Sequence, residues 1–494
     1  MPKTFFLPTP GAGVSRRNFI KSSSLVAAAL ASGIPLVGCS TTPRGRRVSA
    51  NDKINIAVVG AGGKGSSDTD HCSNENIVAL CDADERNSMG QRKKYPKAKF
   101  YRDYRQMLAE MDKSIDAVIV ATPDNMHAVA TSMAMKMGKH VYCQKPLTYT
   151  VAESRYLRGL AKHGRVVTQM GNQGSAEDGL RRAVECIQAG VIGQVKQVFV
   201  WSNRPVWPQG MGRPDGSDPV PAELDWNQWI GPAAERPFKE HIYEPFNWRG
   251  WVDFGCGALG DMACHTANMP FRALKLGYPT QVEAESSGMN GESFPLWSKI
   301  RFEFPARGSM GPVTLWWYDG GKPEPDHPFR HDGSNKPPRE ITAEVEELLG
   351  EVPGSGCVLI GDKGQIFSDD DYGARFFIKL NGDKKYKVYS NKVSGKMVEH
   401  EAIRDIPITL PRNPFKGDTD YRHHQEWLAA IRGGPVPYSN FNIAAYLTEI
   451  ILLGCVALRT GQRLDWDGPN MRATNCPDAD HFIHRVYRDG FQLS

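Results

Sequence analysis

The sequence predicts an α/β protein with two domains, and three observations lead to this fold class. Between residues 53 and 170, short apolar runs alternate with helical patterns of about 10 to 15 residues, which is typical of a doubly wound parallel sheet. A glycine-rich turn directly follows the first of these runs. From residue 171 onward strand patterns dominate, which predicts an α+β domain with a large, open and mostly antiparallel sheet.

The first element is the run Ile54-Asn-Ile-Ala-Val-Val followed by Gly60-Ala-Gly62-Gly63-Lys64-Gly65. Its apolar residues Ile54, Ile56, Val58 and Val59 suit a parallel strand that is covered on both faces. The spacing of Gly60, Gly62 and Gly65 fits G-x-G-x-x-G, in which the turn brings backbone N–H groups close to a pyrophosphate at a helix start. We expect Gly63 to take part as well. The motif alone also occurs in ordinary glycine-rich turns, so the rest of the domain has to support it.

A second predicted strand, residues 76–82, ends in an acid. Asp82 follows Gly60 by 22 residues, about where a dinucleotide site places a carboxylate on the adenosine ribose. A carboxylate there repels a 2′-phosphate, so NAD is favoured over NADP, although nearby Arg86 could reverse that preference. The alternative is that Asp82 caps a helix starting near Glu85.

Three more predicted strands, residues 116–121, 140–143 and 166–169, complete the parallel sheet. Their connections should be right-handed, so all carboxyl ends meet along one edge, where ligands bind in such sheets. The polar residues expected at that edge, and assigned to cofactor binding, are Thr122, Pro123, Asn125, His127, Gln144 and Lys145.

Three segments in this order resemble the glucose–fructose oxidoreductase/inositol dehydrogenase (Gfo/Idh/MocA) family. They are Leu-Cys-Asp82, Ala-Thr-Pro123-Asp-Asn-Met-His127 and Lys145-Pro146-Leu147, and the resemblance extends over roughly residues 53–460. It implies a Rossmann domain, a cis bond before Pro146, and a Lys145 that faces substrate and nicotinamide. The family's usual Glu-Lys-Pro is Gln144-Lys-Pro here, which removes a charge but keeps hydrogen-bonding capacity.

The second domain, residues 171–494, carries the other chemical signature. In Gly257-Ala-Leu-Gly-Asp261-Met-Ala-Cys-His265, the acid and the histidine are four residues apart and share one face of a helix. The alternative without a catalytic role is that Asp261 caps the helix and His265 is a core histidine. The family resemblance instead implies a catalytic pair that acts together with Lys145. A long apolar helix near residues 443–460 is expected to pack back on the first domain.

An insertion rich in tryptophan and proline, residues 204–245, and the residues around it suggest carbohydrate binding. Aromatic faces beside amide and guanidinium donors suit a sugar, although several of the tryptophans could equally be core residues. The predicted substrate-binding residues are Asn172, Gln173, Asn203, Arg204, Trp207, Trp248 and Arg249.

The N-terminus is predicted to be a targeting segment, not part of the fold. Ser15-Arg16-Arg17-Asn-Phe-Ile-Lys21 is a twin-arginine pattern, and the apolar stretch after it ends at Leu-Val-Gly-Cys39, which resembles a lipobox with Cys39 as the lipidated residue. Residues 1–39 would be the signal and residues 40–52 a linker. This predicts an exported periplasmic or cell-envelope lipoprotein that contacts the membrane only through its lipid.

Composition excludes other classes of function. Residues 1–38 contain four basic residues and no acid, so their removal lowers the formal net charge from +5 to +1 and leaves no reason to propose nucleic acid as a partner. No H-E-x-x-H motif or cysteine cluster is present, so we predict no metal. The scattered cysteines argue against a disulfide framework.

Together these features predict an NAD-dependent oxidoreductase acting on a secondary hydroxyl of a sugar, glycoside or cyclitol. His265 would be the general base, Lys145 would stabilise the substrate oxygen, and Asp261 would orient the substrate. An exported enzyme meets no free NAD pool, so the cofactor is expected to be tightly held. The alternatives are an NAD-dependent glycosidase resembling glycoside hydrolase family 109 and a non-catalytic sugar-binding lipoprotein. A homo-oligomer is expected from the resemblance.

Overall fold

The computed structural model describes residue 49, residues 51–388, 392–393, 396–397 and 400–494. The twin-arginine pattern, the apolar stretch and Cys39 lie outside the described residues. The strands of the first domain are β1 (Asn55–Val59), β2 (Asn76–Cys81), β3 (Lys99–Tyr101), β4 (Ala117–Val120), β5 (His140–Gln144) and β6 (Thr168–Gly171). Its helices are α1 (Gly63–His71), α2 (Glu85–Lys94), α3 (Tyr104–Glu110), α4 (Asp124–Lys136) and α5 (Val151–His163).

The six strands form one sheet in the order β3-β2-β1-β4-β5-β6, and every pair is parallel. This is the strand order of a doubly wound dinucleotide-binding domain, with its switch point between β1 and β4. The last strand begins two residues later than the sequence pattern predicts.

The second domain contains the remaining elements. Its helices are α6 (Asp178–Gln188), α7 (Trp226–Ile230), α8 (Gly257–Thr266), α9 (Asn268–Ala273), α10 (Arg339–Leu349), α11 (Thr419–Ile431), α12 (Phe441–Thr460) and α13 (Asp480–Ile483). Its strands are β7 (Val195–Ser202), β8 (Gln281–Ser286), β9 (Trp297–Phe304), β10 (Val313–Gly320), β11 (Pro323–Glu324), β12 (His327–His331), β13 (Gly356–Gly361), β14 (Gly364–Ser368), β15 (Phe377–Leu380), β16 (Lys387–Val388), β17 (Lys392–Val393), β18 (Lys396–Met397), β19 (Leu464–Asp467) and β20 (Arg472–Ala473).

Ten of these strands form a second sheet in the order β16-β15-β14-β13-β7-β10-β9-β8-β19-β20. Only its β7–β10 pair is parallel among the described pairings. Strand β9 alternates buried and half-buried residues along its length, so one face of the sheet is open there. The predicted fold class is confirmed.

Two C-terminal helices return to the first domain, one on each face of its sheet. The expected one is α12, whose Thr448 hydroxyl accepts from the N–H of Leu147 at 3.4 Å. The unexpected one is α11, because its Trp427 and Leu428 are buried in the cluster that contains Ile56 and Val58 of β1. The core of the first domain is therefore completed by residues more than 250 positions later in the chain.

Helix α12 is long and apolar enough for a membrane span by length and composition, with a mean hydropathy of 1.9. In the structure 83% of that window is buried inside the protein, which is the setting of a core helix. The nine cysteines of the described residues are all buried, and none of them forms a disulfide there.

Candidate functional site

A cleft of about 530 Å³ opens along the carboxyl edge of the parallel sheet. It begins at the glycine turn, passes the ends of β2 and β4, and reaches the Lys145–Pro146 bond, which is cis as the resemblance implies. The second domain closes its outer side with residues of the insertion and of α8. These residues are Gln228, Trp229, Glu244, Pro245, Phe246, Trp248, Arg249 and Asp261.

The glycine turn is shaped for close backbone approach. Gly60 has a φ of +82°, and a Cβ added to it would lie 2.6 Å from the Ala121 carbonyl oxygen. A Cβ on Gly65 would lie 1.8 Å from the Gly60 carbonyl oxygen, so this glycine lets α1 pack on β1 and stands behind the cleft. Gly62 is the N-cap of α1 and, with Gly63, lines the cleft. The helix N-terminus is therefore open to a pyrophosphate.

Asp82 lies at the cleft, as predicted, and is held by the backbone. Its carboxylate accepts from the N–H of Gly62 at 2.9 Å and from that of Asp84 at 3.0 Å. Burial raises the pKa of Asp82 to about 6. The N-cap of α2 is Asp84, whose side chain accepts from the N–H of Arg86, so the alternative role as a helix cap belongs to Asp84.

Arg86, the residue that could reverse the preference for NAD, has two carboxylate neighbours. Its guanidinium lies 2.7 Å from Asp84 and 3.5 Å from Glu244, which the insertion contributes. A 2′-phosphate at this end of the cleft would therefore meet three carboxylates, those of Asp82, Asp84 and Glu244, around one arginine whose charge is already compensated.

We expect the protein to bind NADP at least about 100-fold more weakly than NAD, because of this like-charge repulsion. The double variant Asp84→Asn/Glu244→Gln keeps an N-cap residue, removes two charges and should improve NADP affinity by roughly tenfold or more. Calorimetric titration with both cofactors measures this, with Glu240→Gln, at an exposed position, as the control. Equal NADP affinity in the wild type and the double variant would contradict the assignment.

The loop after β4 is only partly in the cleft. Thr122, Pro123 and His127 line it, and the Thr122 hydroxyl is buried without a hydrogen-bond partner among the described residues. Both ring nitrogens of His127 lie against carbonyl oxygens, those of Pro146 at 2.6 Å and Thr122 at 2.9 Å, so this ring ties two loops together. Asn125 differs from its predicted role, because its amide donates to the Ile230 carbonyl in the contact between the domains.

Lys145 and Asp261 meet at the far end of the cleft. The Lys145 ammonium lies 2.6 Å from an Asp261 oxygen, and Arg249 Nε lies 3.3 Å from the same oxygen. Burial raises the pKa of Asp261, but the charges of Lys145 and Arg249 outweigh it and hold the pKa at about 2. This carboxylate is therefore ionised and flanked by two cations.

His265 follows Asp261 by one turn of α8. It is buried, and its Nδ1 has no hydrogen-bond partner within the described part of the chain. Burial, aided by the Lys145 charge, lowers the pKa of His265 to about 3, so the imidazole is neutral at physiological pH. The imidazole is therefore deprotonated, as a proton acceptor must be, but a pKa of about 3 makes it a weak base.

Sequence reasoning missed two residues beside this group. Tyr372, on the loop after β14, places its ring centroid 5.1 Å from that of His265. Asp124, at the start of α4, is buried close to Lys145 and accepts from the N–H of Cys256 at 3.0 Å. Burial raises the pKa of Asp124 to about 7. Asp124 could have been found from its position after Thr122-Pro123 at the end of a strand. No local sequence pattern indicates Tyr372.

Of the predicted substrate residues, Trp248 and Arg249 line the cleft, with the guanidinium 4.3 Å from the Trp248 ring centroid. Trp207 is a core residue of the insertion, because it is 2% exposed and its indole N–H donates to Gln209. Asn172 is also misassigned: its amide is buried and donates to the Cys264 carbonyl.

The other predicted substrate residues, Gln173, Asn203 and Arg204, do not line the cleft. Gln173 is buried in the short turn after β6. Arg204 donates to the side chain of Asn203, and both lie at the end of β7 outside the residues that line the cleft. The roles assigned to Gln173, Asn203 and Arg204 stay predictions.

The described residues contain no group of three or more side chains suited to hold a metal ion. Asn268, where the family often has an acid, is buried and bonds Ser175 and Arg272, so this departure lies in a packing contact. The other departure, Gln144, lines the cleft beside Lys145.

Two family models match this chain. One, an oxidoreductase family with an NAD-binding Rossmann fold, covers residues 54–172, and the other, the C-terminal alpha/beta domain of that oxidoreductase family, covers residues 194–329. Together they span just over half of the chain.

Individual relatives match a smaller part of this chain than the family models do. Inositol 2-dehydrogenase of Salmonella paratyphi B is 29% identical over 147 residues, covering 28% of this chain and 43% of that protein. A glycosyl hydrolase family 109 protein of Shewanella amazonensis is 29% identical over 163 residues, covering 29% and 35%. The chain thus spans less than half the length of these two relatives.

Among solved structures, an inositol dehydrogenase homologue from Azotobacter vinelandii complexed with NAD⁺ superimposes with a TM-score of 0.56. It is 15% identical and the match covers 85% of this chain and all of that one, which shows a shared fold. With the strand order, the open helix N-terminus and the placement of Asp82, the matches lead to one conclusion: this chain belongs to the Gfo/Idh/MocA oxidoreductase family, and its first domain is an NAD-binding Rossmann domain.

Proposed function

We propose that this protein is an NAD-dependent oxidoreductase that oxidises a secondary hydroxyl group of a sugar, glycoside or cyclitol. The observation that carries the proposal is the contact of Lys145 with Asp261 at one end of a cleft whose other end fits the adenosine of NAD, with neutral His265 one helical turn behind Asp261. The similarity to inositol 2-dehydrogenase supports a polyol as substrate.

Each side chain has a role that its surroundings support. His265 accepts the hydroxyl proton, since burial keeps its imidazole neutral. Lys145 donates a hydrogen bond to the same oxygen and stabilises the negative charge that develops there. Asp261, ionised between Lys145 and Arg249, accepts from a neighbouring hydroxyl and orients the ring. A dinucleotide held at Gly60, Gly62 and Asp82 would supply the acceptor for the hydride of the carbinol carbon.

The direct test is to incubate the purified protein with sugars, glycosides and inositols and follow absorbance at the wavelength of reduced nicotinamide. Bound cofactor should be reduced by a polyol substrate, and it should be reoxidised by the matching ketone. Absence of reduction with every polyol, in a protein shown to bind NAD, would refute the proposed substrate class.

We further propose that the protein is exported and holds its cofactor tightly. The twin-arginine pattern supports export of a folded protein with its cofactor already in place. Retention is supported by residues 222–245, which we call the strap. The strap crosses the adenosine end of the cleft, where the N–H of Asp225 donates to the Ala83 carbonyl at 2.8 Å and the N–H of Glu85 donates to the Glu223 carbonyl at 3.1 Å.

The C-terminal tail fastens the strap. Arg488 donates to the carbonyl of Gly231 at 2.9 Å, and to the carbonyl and the side chain of Asn227 at 2.5 Å each. A dinucleotide leaving the adenosine end of the cleft has to displace this segment.

We therefore expect Arg488→Ala to release NAD about tenfold faster than the wild type, because affinity changes of this kind appear mainly in the dissociation rate. Stopped-flow displacement of NAD measures this rate. Arg472→Ala, which removes a 66% exposed side chain far from the strap, is the control. Unchanged release from Arg488→Ala would argue against retention by the strap.

A second candidate is an NAD-dependent glycosidase that acts by transient oxidation and elimination, and the similarity to a glycosyl hydrolase family 109 protein favours it. An assay with a p-nitrophenyl glycoside distinguishes the two candidate functions. Release of p-nitrophenol without net cofactor reduction supports the glycosidase, and stable reduction supports the dehydrogenase.

A further inference from the structure

Asp68 is a fully buried carboxylate on α1, one turn beyond the glycine turn. One of its oxygens accepts from the Gln144 Nε2 at 2.7 Å. The other oxygen lies 3.1 Å from the Lys64 ammonium and 3.4 Å from His424 Nε2. A buried acid with three polar neighbours is costly unless it has a use, since ionised groups lose hydration on burial.

The contact fixes the orientation of the Gln144 amide. An ionised carboxylate can only accept, so the atom facing Asp68 must be the NH₂ group and the carbonyl oxygen Oε1 must point away. Burial raises the pKa of Asp68, but Lys64 and then His424 outweigh burial and keep the pKa below its usual value. The carboxylate is therefore ionised and accepts from the Gln144 amide.

The Gln144 amide packs directly on the backbone of β6, since a Cβ added to Gly171 would lie 2.6 Å from its Oε1 and 2.8 Å from its Nε2. The packing is alike for both atoms, so it is the hydrogen bond to Asp68 that sets the orientation of the amide. Gln144, Lys145 and Lys64 all line the cleft. The carbonyl oxygen of Gln144 accepts from the N–H of Lys145 at 3.4 Å, and its second lone pair is left to accept from a ligand in the cleft.

We propose that Asp68 is a positioning residue for NAD, which acts by holding the Gln144 amide so that its oxygen accepts a hydrogen bond from the nicotinamide ribose. In this protein the negative charge beside the Lys145–Pro146 motif is that of Asp68 on α1. The hydrogen bond between Asp68 and the Gln144 amide transmits the effect of this charge to the cleft. The inference rests on the NAD-binding part of the proposed function and is independent of the sugar chemistry.

Lys64 compensates the negative charge of Asp68. Its ammonium also lies 2.7 Å from Asp420 at the start of α11, so a helix of the second domain is joined to the glycine turn. One cation therefore faces two acids here. A third acid at position 144 would leave the buried cluster with uncompensated negative charge.

The test exchanges the acid and the amide. Gln144→Glu places two carboxylates in contact, so they must share a proton, and we expect NAD affinity to fall by about tenfold or more at pH 8.5. Asp68→Asn should weaken NAD binding as well. The asparagine amide can both donate and accept, so it no longer fixes the orientation of the Gln144 amide. The double variant Asp68→Asn/Gln144→Glu restores one acid and one amide and should recover NAD affinity to within about threefold of wild type.

Affinity is measured by calorimetry with NAD alone, without sugar, and melting temperature is recorded for each variant. Asp70→Asn, which changes an acid on the same helix that pairs with Lys94, is the matched control and should bind NAD normally. A role in stability alone predicts that melting temperatures change while NAD affinity does not, and this outcome would overturn the proposal.

A second measurement needs only the single variant Gln144→Glu. Because its two carboxylates share a proton, its NAD affinity should fall between pH 5.5 and 8.5, while the affinity of the wild type changes less. Equal pH dependence, or a double variant no better than Gln144→Glu, would overturn the proposal. If the exchange behaves as expected but no polyol is oxidised, the proposed substrate class fails and this inference stands.

Discussion

Replacing Lys145 by methionine should lower the rate of polyol oxidation by about 10²- to 10³-fold while NAD still binds, since one donor to the developing negative charge is lost. Methionine keeps the length of the side chain and removes only the charge and the hydrogen bond. Asp261 retains Arg249 at 3.3 Å, so it is not left as an isolated buried charge and the variant should fold. The measurement is single-turnover reduction of bound NAD.

Two controls make the result specific. Lys136→Met removes an exposed lysine of α4 and should have wild-type activity. Lys145→Arg keeps the charge but replaces a compact ammonium with a planar fork, so it should recover little activity. Turnover by Lys145→Met within about threefold of wild type would exclude Lys145 from the reaction.

Replacing His265 by asparagine should lower the rate by about 10²- to 10⁴-fold, because asparagine is similar in shape but cannot take the proton. The wild-type pH profile gives a second test. Burial and Lys145 lower the pKa of His265 to about 3, so the base is competent above that pH and is lost only as pH falls through about 3. No loss of activity at pH 6 to 7 should therefore come from His265.

An acid limb near pH 7 would instead belong to Asp124, whose pKa burial raises to about 7 beside Lys145 and Asp261. The variant Asp124→Asn distinguishes the two groups, since it should abolish such a limb. A limb near pH 6.5 that survives in Asp124→Asn could also come from Asp82, whose pKa burial raises to about 6. A limb that survives in both Asp124→Asn and Asp82→Asn would show that His265 titrates there and would contradict the low pKa.

The first domain could be predicted from sequence because its signals are local. Each strand of the parallel sheet is a short apolar run bounded by turns, and the glycine spacing and Asp82 follow from the chain order alone. Lys145 and the Asp261–His265 pair were also named from the sequence, and Lys145 and Asp261 meet across 116 residues because both line the same cleft. Their catalytic roles stay predictions.

The rest depends on which parts of the chain meet, and no local pattern carries that information. The apolar face of α11 predicts burial but does not say that it covers β1. Trp207 and Asn172 have the residue types of a sugar site, yet both are used in packing. The contact of Asp68 with Gln144 joins residues 76 positions apart, so the role that we propose for Asp68 could not be predicted from the sequence.

The placement of α11 and α12 on opposite faces of the first sheet has a consequence for biosynthesis. When a ribosome has made residues 1–170, the domain that binds NAD has its strands but lacks the cover over Ile56, Val58 and Leu147. Maturation of the nicotinamide pocket must therefore wait until about residue 460 has emerged. The nascent chain therefore exposes these apolar surfaces during most of its translation, and its two domains cannot be separated by cutting at residue 170 without exposing both of them.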